Sequence, residues 1–331
     1  MREVRVYWSG GIIVEVGGKV IALDPVSTPS LRPDLVLVSH AHSDHASASV
    51  LRRMRGVPVV MSEATSELLF GRRGARPSDL VLVGDGGEVE VGGVEVEARS
   101  AGHCAGSLQY RLGTEPSVVF TGDFNLQGRV ILRPARPLRG DVLIMDATYG
   151  SPRYSFPSRS KLYKLLLEMV RTGIEESGAV FVAARALGTA QEVTALVNLS
   201  TLNVPVVVER RIYAINKVHE RCEGEELSYG VLRGGKPAGV VVVPLGSAER
   251  YRGRGPLVTC TGWAATWRSL TSLPLSSHSG FDELLEYVRR SGAELVIPAY
   301  GFVDEFARHV AEELGVRCAP IRRGRVVSET I

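Results

Sequence analysis

The chain has 331 residues, of which 44% are hydrophobic and 23% charged, and its formal net charge at pH 7 is +3. This length suits two ordinary domains or one large fold with an insertion, and the composition argues against a disordered or fibrous protein. A charge of +3 is compatible with a polyanionic ligand but does not by itself indicate nucleic-acid binding.

The first half of the chain consists of short Val-rich segments separated by glycine turns. Runs of four to eight residues that are rich in β-branched side chains and bounded by Gly, Pro or Asp are typical of strands. Ten segments fit this description: "VRVYW", "GIIVEV", "KVIALDPV", "DLVLVSH", "VPVVM", "DLVLV", "GEVEVGGVEVEA", "SLQYRL", "SVVFTGD" and "DVLIMDA". Helices are predicted only at 45–55 and 62–70, so this half should form packed sheets with sparse helical cover.

Beyond residue 157 helices and strands alternate. Leucine and methionine recur at helical spacing over 160–173, "AVFVA" and "VPVVV" read as buried strands, and "TAQEVTALVNL" reads as a helix between them. This alternation indicates an α/β insertion. After about 257 the pattern predicts a strand at "LVTC", a helix capped by Ser279 with Asp282 three residues later, a strand at "ELVIP" and a last helix near 303–314.

Cysteines and apolar runs bear on the cellular compartment. The four cysteines are far apart and form no C-x-x-C pair, which argues against a thiolate zinc knuckle and a disulfide framework. The N-terminal "MREVRVYWSGG" lacks the apolar core of a signal peptide, and no stretch approaches the ~18 apolar residues that span a bilayer. We therefore expect a soluble cytoplasmic protein with no membrane partner, and no feature predicts its oligomeric state.

Residues 38–45, "VSHAHSDH", concentrate metal-ligand chemistry in one loop. A hydrophobic run leads directly into His40, His42, Asp44 and His45. Imidazole nitrogens and carboxylate oxygens suit Zn²⁺, and Mn²⁺ or Mg²⁺ where carboxylates contribute more. The alternative is a solvated pH-sensing cluster, but such crowding of histidines beside an aspartate at a strand end favours metal binding.

Four further candidates stand where predicted strands run out, next to small residues. They are His103 in "SAGHCAGS", Asp123 in "FTGDF", Asp146 in "IMDATYG" and His278 in "LSSHSG". Loops of this kind can direct side chains into a shared cleft. The other two histidines, His219 and His309, fall within predicted helices, and we interpret them as surface or cap residues.

The order of these motifs resembles a known family. "SHAHSDH", "AGHCAGS" and "TGDF" resemble the metallo-β-lactamase superfamily, and "DATYG", "ARALGTAQEV" and "SSHSG" resemble its β-CASP nuclease branch. "TYGSPRYSFPS", "TGW" and "VIPAYG" are most similar to the DNA crosslink-repair nucleases that include Artemis. The resemblance implies an α/β fold, a metallo-β-lactamase αββα four-layer sandwich with an inserted β-CASP domain. The implied division is 1–150 and 263–331 for the sandwich and 151–262 for the insertion.

The resemblance also implies a set of metal ligands, for one or two zinc ions. A first metal would be held by His40, His42, His103 and Asp123, with Asp123 bridging to a second metal that Asp44 and His45 also bind. RNA-processing members complete the second site with a histidine, but this chain has Tyr300 at the matching position. DNA-processing relatives also lack this histidine. Because a neutral phenol is a poor zinc ligand, we expect the second ion, Zn²⁺ or else Mn²⁺ or Mg²⁺, to bind weakly or to arrive with substrate. Tyr300 would then be either a packing residue or a hydrogen-bond donor to a metal-bound oxygen.

Phosphodiester hydrolysis would assign roles to the remaining motifs. A metal would lower the pKa of bound water, hydroxide would attack phosphorus, and Asp44 would orient the water or hold the second metal. We predict that His278 is the general acid, with Asp146 setting its tautomer and raising its pKa.

The motif "ALGTAQEV" suggests where a substrate phosphate would bind. Gly188, Thr189 and Ala190 place a glycine turn before a helix N-terminus, whose backbone N–H groups favour anions, although simple helix capping is the alternative. The nearby Arg185 would face the same groove.

The preferred hypothesis is a metal-dependent nuclease, a DNA-end-processing exonuclease that binds DNA in preference to RNA. The alternatives are an RNA endonuclease or exonuclease of the mRNA 3′-end-processing type, a small-molecule hydrolase of the same fold, and a nucleic-acid-binding subunit with an inactive site. Fold analogy alone does not separate these classes. The insertion and His278 favour a nuclease over a small-molecule hydrolase.

Overall fold

A computed structural model describes residues 3–267, 269–322 and 324–331. Within these ranges no helix has the length and apolar character needed to cross a membrane. The described residues build three β-sheets, two of seven strands and one of six.

Most of the regular elements up to residue 150 are strands, as the Val-rich runs predict. The elements in chain order are β1 (Glu3–Trp8), β2 (Ile12–Val16), β3 (Lys19–Leu23), β4 (Leu35–Leu37), α1 (Ala48–Leu51), β5 (Val59–Met61), α2 (Glu63–Phe70), β6 (Leu80–Leu82), β7 (Glu88–Val91), β8 (Val94–Ser100), β9 (Leu108–Leu112), β10 (Val118–Phe120) and β11 (Val142–Asp146). All ten predicted segments are confirmed as strands. Helix α1 is shorter than the predicted 45–55, because the residues before it belong to the histidine-rich loop and those after it form turns.

The remainder alternates between helices and strands. These elements are α3 (Arg159–Ser177), β12 (Ala179–Ala184), α4 (Thr189–Leu199), β13 (Val206–Val208), α5 (Arg210–Glu223), β14 (Gly230–Val231), β15 (Gly239–Pro244), β16 (Leu257–Cys260), β17 (Ser272–Leu273), α6 (Phe281–Ser291), β18 (Leu295–Ala299), α7 (Val303–His309), β19 (Arg317–Cys318) and β20 (Val326–Thr330). A π-helical turn, Val310–Leu314, prolongs α7 to the predicted end of the last helix.

The cap of α6 differs from the predicted pair of Ser279 and Asp282. Gly280 precedes the first turn, and its N–H donates to Glu283 Oε2 at 2.8 Å. The Ser279 hydroxyl instead accepts the Leu126 N–H at 3.0 Å. Ser279 therefore ties the loop that carries His278 to the loop after β10, and the capping motif lies one residue later than predicted.

The two seven-stranded sheets pack face to face. Their strand orders are β20-β1-β2-β3-β4-β5-β6 and β19-β18-β11-β10-β9-β8-β7. Buried side chains from both sheets, such as Ile12, Leu37, Tyr110 and Ile297, fill the space between them. Helices α1 and α2 cover the outer face of the first sheet, and α6 and α7 cover that of the second. This arrangement confirms the αββα four-layer sandwich.

The third sheet is entirely parallel and has the order β14-β13-β15-β12-β16-β17. Its strands run from Ala179 to Leu273, and α3, α4 and α5 contribute Leu166, Val193 and Ile212 to one buried face. The division of the chain at 150 and 262 stays a prediction.

His219 does not lie on the surface, contrary to the interpretation from sequence. Its side chain is 1% exposed on the face of α5 that also buries Ile212 and Asn216, at helical spacing. His309 lies in the last turn of α7, with its Nδ1 2.9 Å from Glu313 Oε1.

The fold brings several strand ends to one edge of the sandwich. Strands β10, β11 and β18 are parallel neighbours, so the residues that follow them emerge at the same edge. Asp123 follows β10, Asp146 ends β11 and Tyr300 follows β18. His40, after β4 of the facing sheet, is in contact with Asp123. The predicted chemistry is therefore concentrated at this edge.

Candidate metal centre

Three buried imidazoles converge at the edge of the sandwich. His40 Nε2 lies 2.8 Å from His42 Nδ1, and His103 Nε2 lies 3.1 Å from the same atom. The side chains of His40 and His103 are fully buried, and His42 is nearly so. Two sequence motifs about 60 residues apart are thus joined at one point, as predicted.

A hydrogen bond from Nδ1 sets the tautomer of the His103 ring. His103 Nδ1 is 3.0 Å from the Ser277 carbonyl oxygen, which can only accept, so Nδ1 carries the proton and Nε2 presents a lone pair. Burial, reinforced by neighbouring cationic groups, holds the pKa values of His40, His42 and His103 well below their ordinary range. Neutral imidazoles whose nitrogens face one another at about 3 Å suit a cation placed between them.

Asp123 adds the carboxylate to this cluster. Its Oδ2 lies 3.4 Å from His40 Nε2 and 3.5 Å from His103 Nε2. Its Oδ1 is buried and accepts no hydrogen bond from the residues that the structure describes, although His45 Nε2 is 3.3 Å away. Burial raises the pKa of Asp123, and His45 and His278 oppose the rise. A buried carboxylate oxygen without a hydrogen-bond donor, placed among imidazole nitrogens, fits a ligand to a cation.

The donor set fits a divalent metal. One ligand atom from each of His40, His42, His103 and Asp123 lies within 4.8 Å of the others. Three imidazole nitrogens and one carboxylate oxygen are the ligands that Zn²⁺ takes in four-coordinate sites, and borderline metals such as Mn²⁺ accept them too.

A second group of donors surrounds His45. His45 Nδ1 donates to Asp24 Oδ2 at 2.7 Å, and Asp24 also accepts the N–H and the hydroxyl of Ser39, each at 2.6 Å. Burial opposes protonation of His45, but the carboxylates of Asp123 and Asp24 raise its pKa to about 9. Asp24 therefore fixes the ring that faces Asp123 Oδ1, and through Ser39 it braces the loop of His40.

Asp24 holds His45 and Ser39 by hydrogen bonds, and it is not among the candidate residues identified from the sequence. The signal was present, because Asp24 follows strand β3 just as Asp123 follows β10. Its backbone has φ +48°, a left-handed conformation that aspartate and asparagine tolerate better than most residues.

We expect Asp24→Asn to lower metal affinity by about 10- to 100-fold, because the amide cannot accept the three hydrogen bonds that orient His45 and Ser39. Asparagine keeps the backbone preference, so the change isolates the carboxylate. Titration calorimetry with Zn²⁺ measures the effect. The exposed Asp304→Asn is the control and should bind zinc as the unmodified chain does. Equal affinity in Asp24→Asn would contradict the role.

Asp44 is not gathered into the buried donor clusters. Its side chain is 61% exposed, and its Oδ1 lies 3.4 Å from Arg185 Nη2. It nevertheless lines the same cleft as His45 and Asp123. That Asp44 binds a second metal therefore stays a prediction. In the structure its carboxylate forms an ion pair with Arg185.

His278 lies opposite the metal cluster and is paired with Asp146. His278 Nδ1 donates to Asp146 Oδ2 at 2.8 Å, and its Nε2 faces Asp123 Oδ2 at 3.5 Å. Burial lowers the pKa of His278, but Asp123 and Asp146 outweigh it and raise the pKa above the ordinary value. Burial likewise opposes ionisation of Asp146, yet His278 and Thr148 hold the pKa of Asp146 below its ordinary value. The pair is arranged so that an Nε2 proton points into the cleft.

The cleft in front of His278 has a volume of about 220 Å³ and an aromatic wall. Tyr149 stacks edge-on against His278, with ring centroids 5.7 Å apart, and against Trp263 at 4.9 Å. A side chain at Gly262 would collide with the Tyr149 ring, so the glycine permits this packing. The "DATYG" and "TGW" motifs thus meet in the structure.

Within the predicted phosphate-binding turn, Gly188–Ala190, two of the three backbone N–H groups already donate hydrogen bonds inside the protein. Gly188 N–H donates to Gln191 Oε1 at 2.7 Å, and Ala190 N–H donates to the Arg185 carbonyl at 3.0 Å. Neither group is available to a phosphate. Only Thr189 of the three lines the cleft. Gly188, with φ +107°, instead allows the chain to pass close to the His103 carbonyl and Ser277.

A buried ionic network supports the His103 loop. Arg129 donates to Glu192 Oε2 at 2.7 Å and, through Nη1, to the His103 carbonyl at 2.5 Å. Arg159 Nη1 lies 3.5 Å from Glu192 Oε1. Glu192 belongs to the "ALGTAQEV" segment on α4. Through Arg129, this motif therefore supports the backbone of His103, a predicted metal ligand. Sequence reasoning missed Arg129 and Glu192 because charged residues in a helix or loop give no sign of burial.

Tyr300 closes the His45 side of the cleft. Its ring lies against the rings of His45 and Trp8, with centroids 4.6 and 5.4 Å away. Its hydroxyl is buried and has no hydrogen-bond partner in the described part of the chain, and its backbone has φ +65°. An unpaired buried phenol and a left-handed backbone both cost free energy.

Comparisons with known proteins agree with this geometry. The β-lactamase superfamily domain matches residues 18–193. A probable DNA ligase of Opitutus terrae is 27% identical over 86% of this chain and 30% of that protein. The DNA cross-link repair protein SNM1 of Arabidopsis thaliana is 23% identical over 79% of this chain and 60% of its own length. RNase aCSPSF2 of Saccharolobus solfataricus is 30% identical over 52% of this chain and 39% of its own length.

A solved structure extends the agreement to the whole fold. A protein of unknown function from Enterococcus faecalis has a TM-score of 0.67 and 14% identity, and the match covers 99% of this chain and 100% of that one. The curated relatives are longer, since this chain spans between about a third and three fifths of those named above. The superfamily match covers more than half of the chain. The chain belongs to the β-lactamase superfamily, and the relatives confirm its similarity to the β-CASP branch and to SNM1.

Proposed function

We propose that the chain is a metal-dependent nuclease that hydrolyses phosphodiester bonds of nucleic acid, with DNA preferred over RNA and zinc as the resident metal. The observation that carries the proposal is the pairing of His278 with Asp146 beside the cluster of His40, His42, His103 and Asp123, because Asp123 lines the same cleft as His278. A donor cluster alone would serve many hydrolases. An oriented imidazole opposite it supplies the proton that an alkoxide leaving group needs.

The residues of the chain divide the work of hydrolysis. His40, His42, His103 and Asp123 would hold the first metal, which supplies Lewis acidity that lowers the pKa of bound water and offsets charge on phosphate oxygens. Asp44, exposed at the cleft mouth, would orient the attacking water. His278 would donate its Nε2 proton to the leaving oxygen, and Asp146 would hold its tautomer and stabilise its charge.

The relatives support both substrates but not equally across the chain. The match to the DNA cross-link repair protein SNM1 spans 79% of the chain, whereas the match to RNase aCSPSF2 spans 52% at a higher identity. The "TGW" motif, which the structure places on the cleft wall through Trp263, adds to the DNA side. Processing of DNA ends is therefore the preferred function, and RNA cleavage is the alternative.

The test uses end-labelled single-stranded DNA and RNA of one sequence. Each is incubated with the purified chain in Zn²⁺, Mn²⁺ or Mg²⁺, beside His103→Ala and Asp44→Ala variants. We expect the unmodified chain to cleave DNA faster than RNA and His103→Ala to lose cleavage. Cleavage that persists in His103→Ala would come from a contaminant, and intact polymers throughout would overturn the proposal. Faster cleavage of RNA would select the alternative.

A further inference from the structure

A second and larger cavity adjoins the metal cleft and carries an excess of positive charge. It has a volume of about 690 Å³, against about 220 Å³ for the cleft. Four guanidinium groups line it, from Arg72, Arg185, Arg211 and Arg221, against the one carboxylate of Glu67. Arg221 Nε donates to that carboxylate at 3.0 Å. Three of the four arginines are therefore not neutralised within the cavity wall.

Two of these arginines are available to a ligand. Among the residues that the structure describes, Arg72 and Arg211 have no hydrogen-bond or ion-pair partner, and both are exposed. They belong to different parts of the fold. Arg72 follows α2 of the sandwich, and Arg211 lies in the first turn of α5, which packs beside the third sheet. The cavity between them is consequently charged from both sides.

Arg185 connects the cavity with the metal centre. It lines both spaces, with its Nε 3.2 Å from His42 Nε2 and its Nη2 3.4 Å from Asp44 Oδ1. His42 itself forms part of the cavity wall. A molecule bound in the cavity would therefore lie against His42, one of the predicted metal-binding residues.

The floor of the cavity is apolar. Leu68, Leu187, Ile215 and Leu245 face the same space as the guanidiniums. Inorganic anions need no such surface, whereas nucleotides combine anionic phosphates with flat, weakly polar bases and sugars. The mixture of cationic rim and apolar floor matches a segment of single-stranded nucleic acid.

We propose that this arginine cavity binds the nucleotides next to the cleaved phosphodiester, with Arg72 and Arg211 contacting their backbone phosphates. The inference rests on the proposed nuclease function and adds a binding site to it. The cleft has room for the reacting phosphate, and the larger cavity holds the strand beyond it. The chain should then bind extended single strands more tightly than a single nucleotide.

The test is equilibrium binding of a fluorescein-labelled single strand by the full chain in EDTA, measured by anisotropy over a series of salt concentrations. In the Arg72→Gln/Arg211→Gln variant, we expect the dissociation constant to rise about tenfold or more. Losing two phosphate contacts should also reduce the slope of log K against log salt by about 1.4. The control Arg171→Gln/Arg290→Gln removes two exposed arginines outside the cavity that have no ion-pair partner among the described residues, and it should not alter the slope. Melting temperature shows whether each variant is folded.

The outcomes separate the two proposals. A chain that cleaves nucleic acid but whose cavity variant keeps the original affinity and slope overturns the cavity assignment alone. A chain that neither binds nor cleaves nucleic acid overturns the nuclease function, and the cavity assignment with it. Equal losses in the cavity variant and the control would show a diffuse charge effect, which also contradicts a specific site.

Discussion

Replacing His278 with alanine is expected to slow cleavage of a natural phosphodiester by about 10²- to 10⁴-fold, the range in which general acids contribute. The leaving group in nucleic acid is an alkoxide, which departs poorly without a proton. The Nε2 of His278 points into the cleft, and its Nδ1 is held by Asp146 at 2.8 Å. Removing the ring deletes the proton donor while the other donors at the metal centre stay in place.

A leaving group that needs no proton isolates this role. With a p-nitrophenyl ester of thymidine phosphate, we expect the same His278→Ala variant to lose much less activity, because nitrophenolate is stable as an anion. Comparing the two substrates by steady-state kinetics gives the measurement. Equal losses of activity on both substrates would contradict the assignment of His278 as general acid.

The position of His278 also allows a role as a metal ligand, and metal content distinguishes the two. Its Nε2 is as far from Asp123 Oδ2 as is His103 Nε2, at 3.5 Å. If His278 donates a proton, His278→Ala should retain as much metal per chain as the unmodified protein. If His278 is a metal ligand, the variant should contain less metal. Asp146→Asn is the matched variant, since the amide keeps the shape but not the charge that sets the His278 tautomer, and it should show the same substrate dependence.

The sequence predicted the strands of the sandwich because each one carries its own hydrophobic pattern. It identified His40, His42, His103 and Asp123 because ligand residues at the ends of strands are a local signal. The structure brings these four together within 4.8 Å. Their roles as ligands remain predictions, while their proximity is a property of the fold.

Long-range partners could not be predicted in this way. Strand β15 lies in the middle of the third sheet, and β20 pairs with β1 from the far end of the chain, yet neither is among the strands predicted from sequence. The burial of His219 and the Arg129–Glu192 pair likewise depends on elements distant in sequence. Helix capping failed for a local reason, since Ser279 and Gly280 are adjacent and tertiary contacts of the loop decided between them.

We expect Tyr300 to limit the number of metal ions that the centre holds, and Tyr300→His to increase that number. Burial, followed by the nearby carboxylates, raises the pKa of Tyr300 well above its ordinary value, so the phenol stays protonated and binds metal poorly. The position faces His45, which is in turn 3.3 Å from Asp123 Oδ1. An imidazole here would add a third strong donor to this pair.

The backbone also favours this substitution. With φ +65°, position 300 has a conformation in which histidine is enriched several-fold over most residues, so the change should be accommodated without refolding the loop. The matched control is Tyr300→Phe, which keeps the ring packed on Trp8 and His45 and removes only the orphaned hydroxyl. Differences between the two variants then report the donor and not the packing.

We expect the unmodified chain and Tyr300→Phe to retain about one zinc ion per chain after dialysis against a weak chelator, and Tyr300→His to retain about two. Elemental analysis against protein concentration measures this directly. A Tyr300→His/His45→Ala double variant should lose the gained ion, because both imidazoles are needed to hold it beside Asp123. Two tightly held ions in the unmodified chain would show that the second site closes without a histidine, and the weak-site argument would then fail.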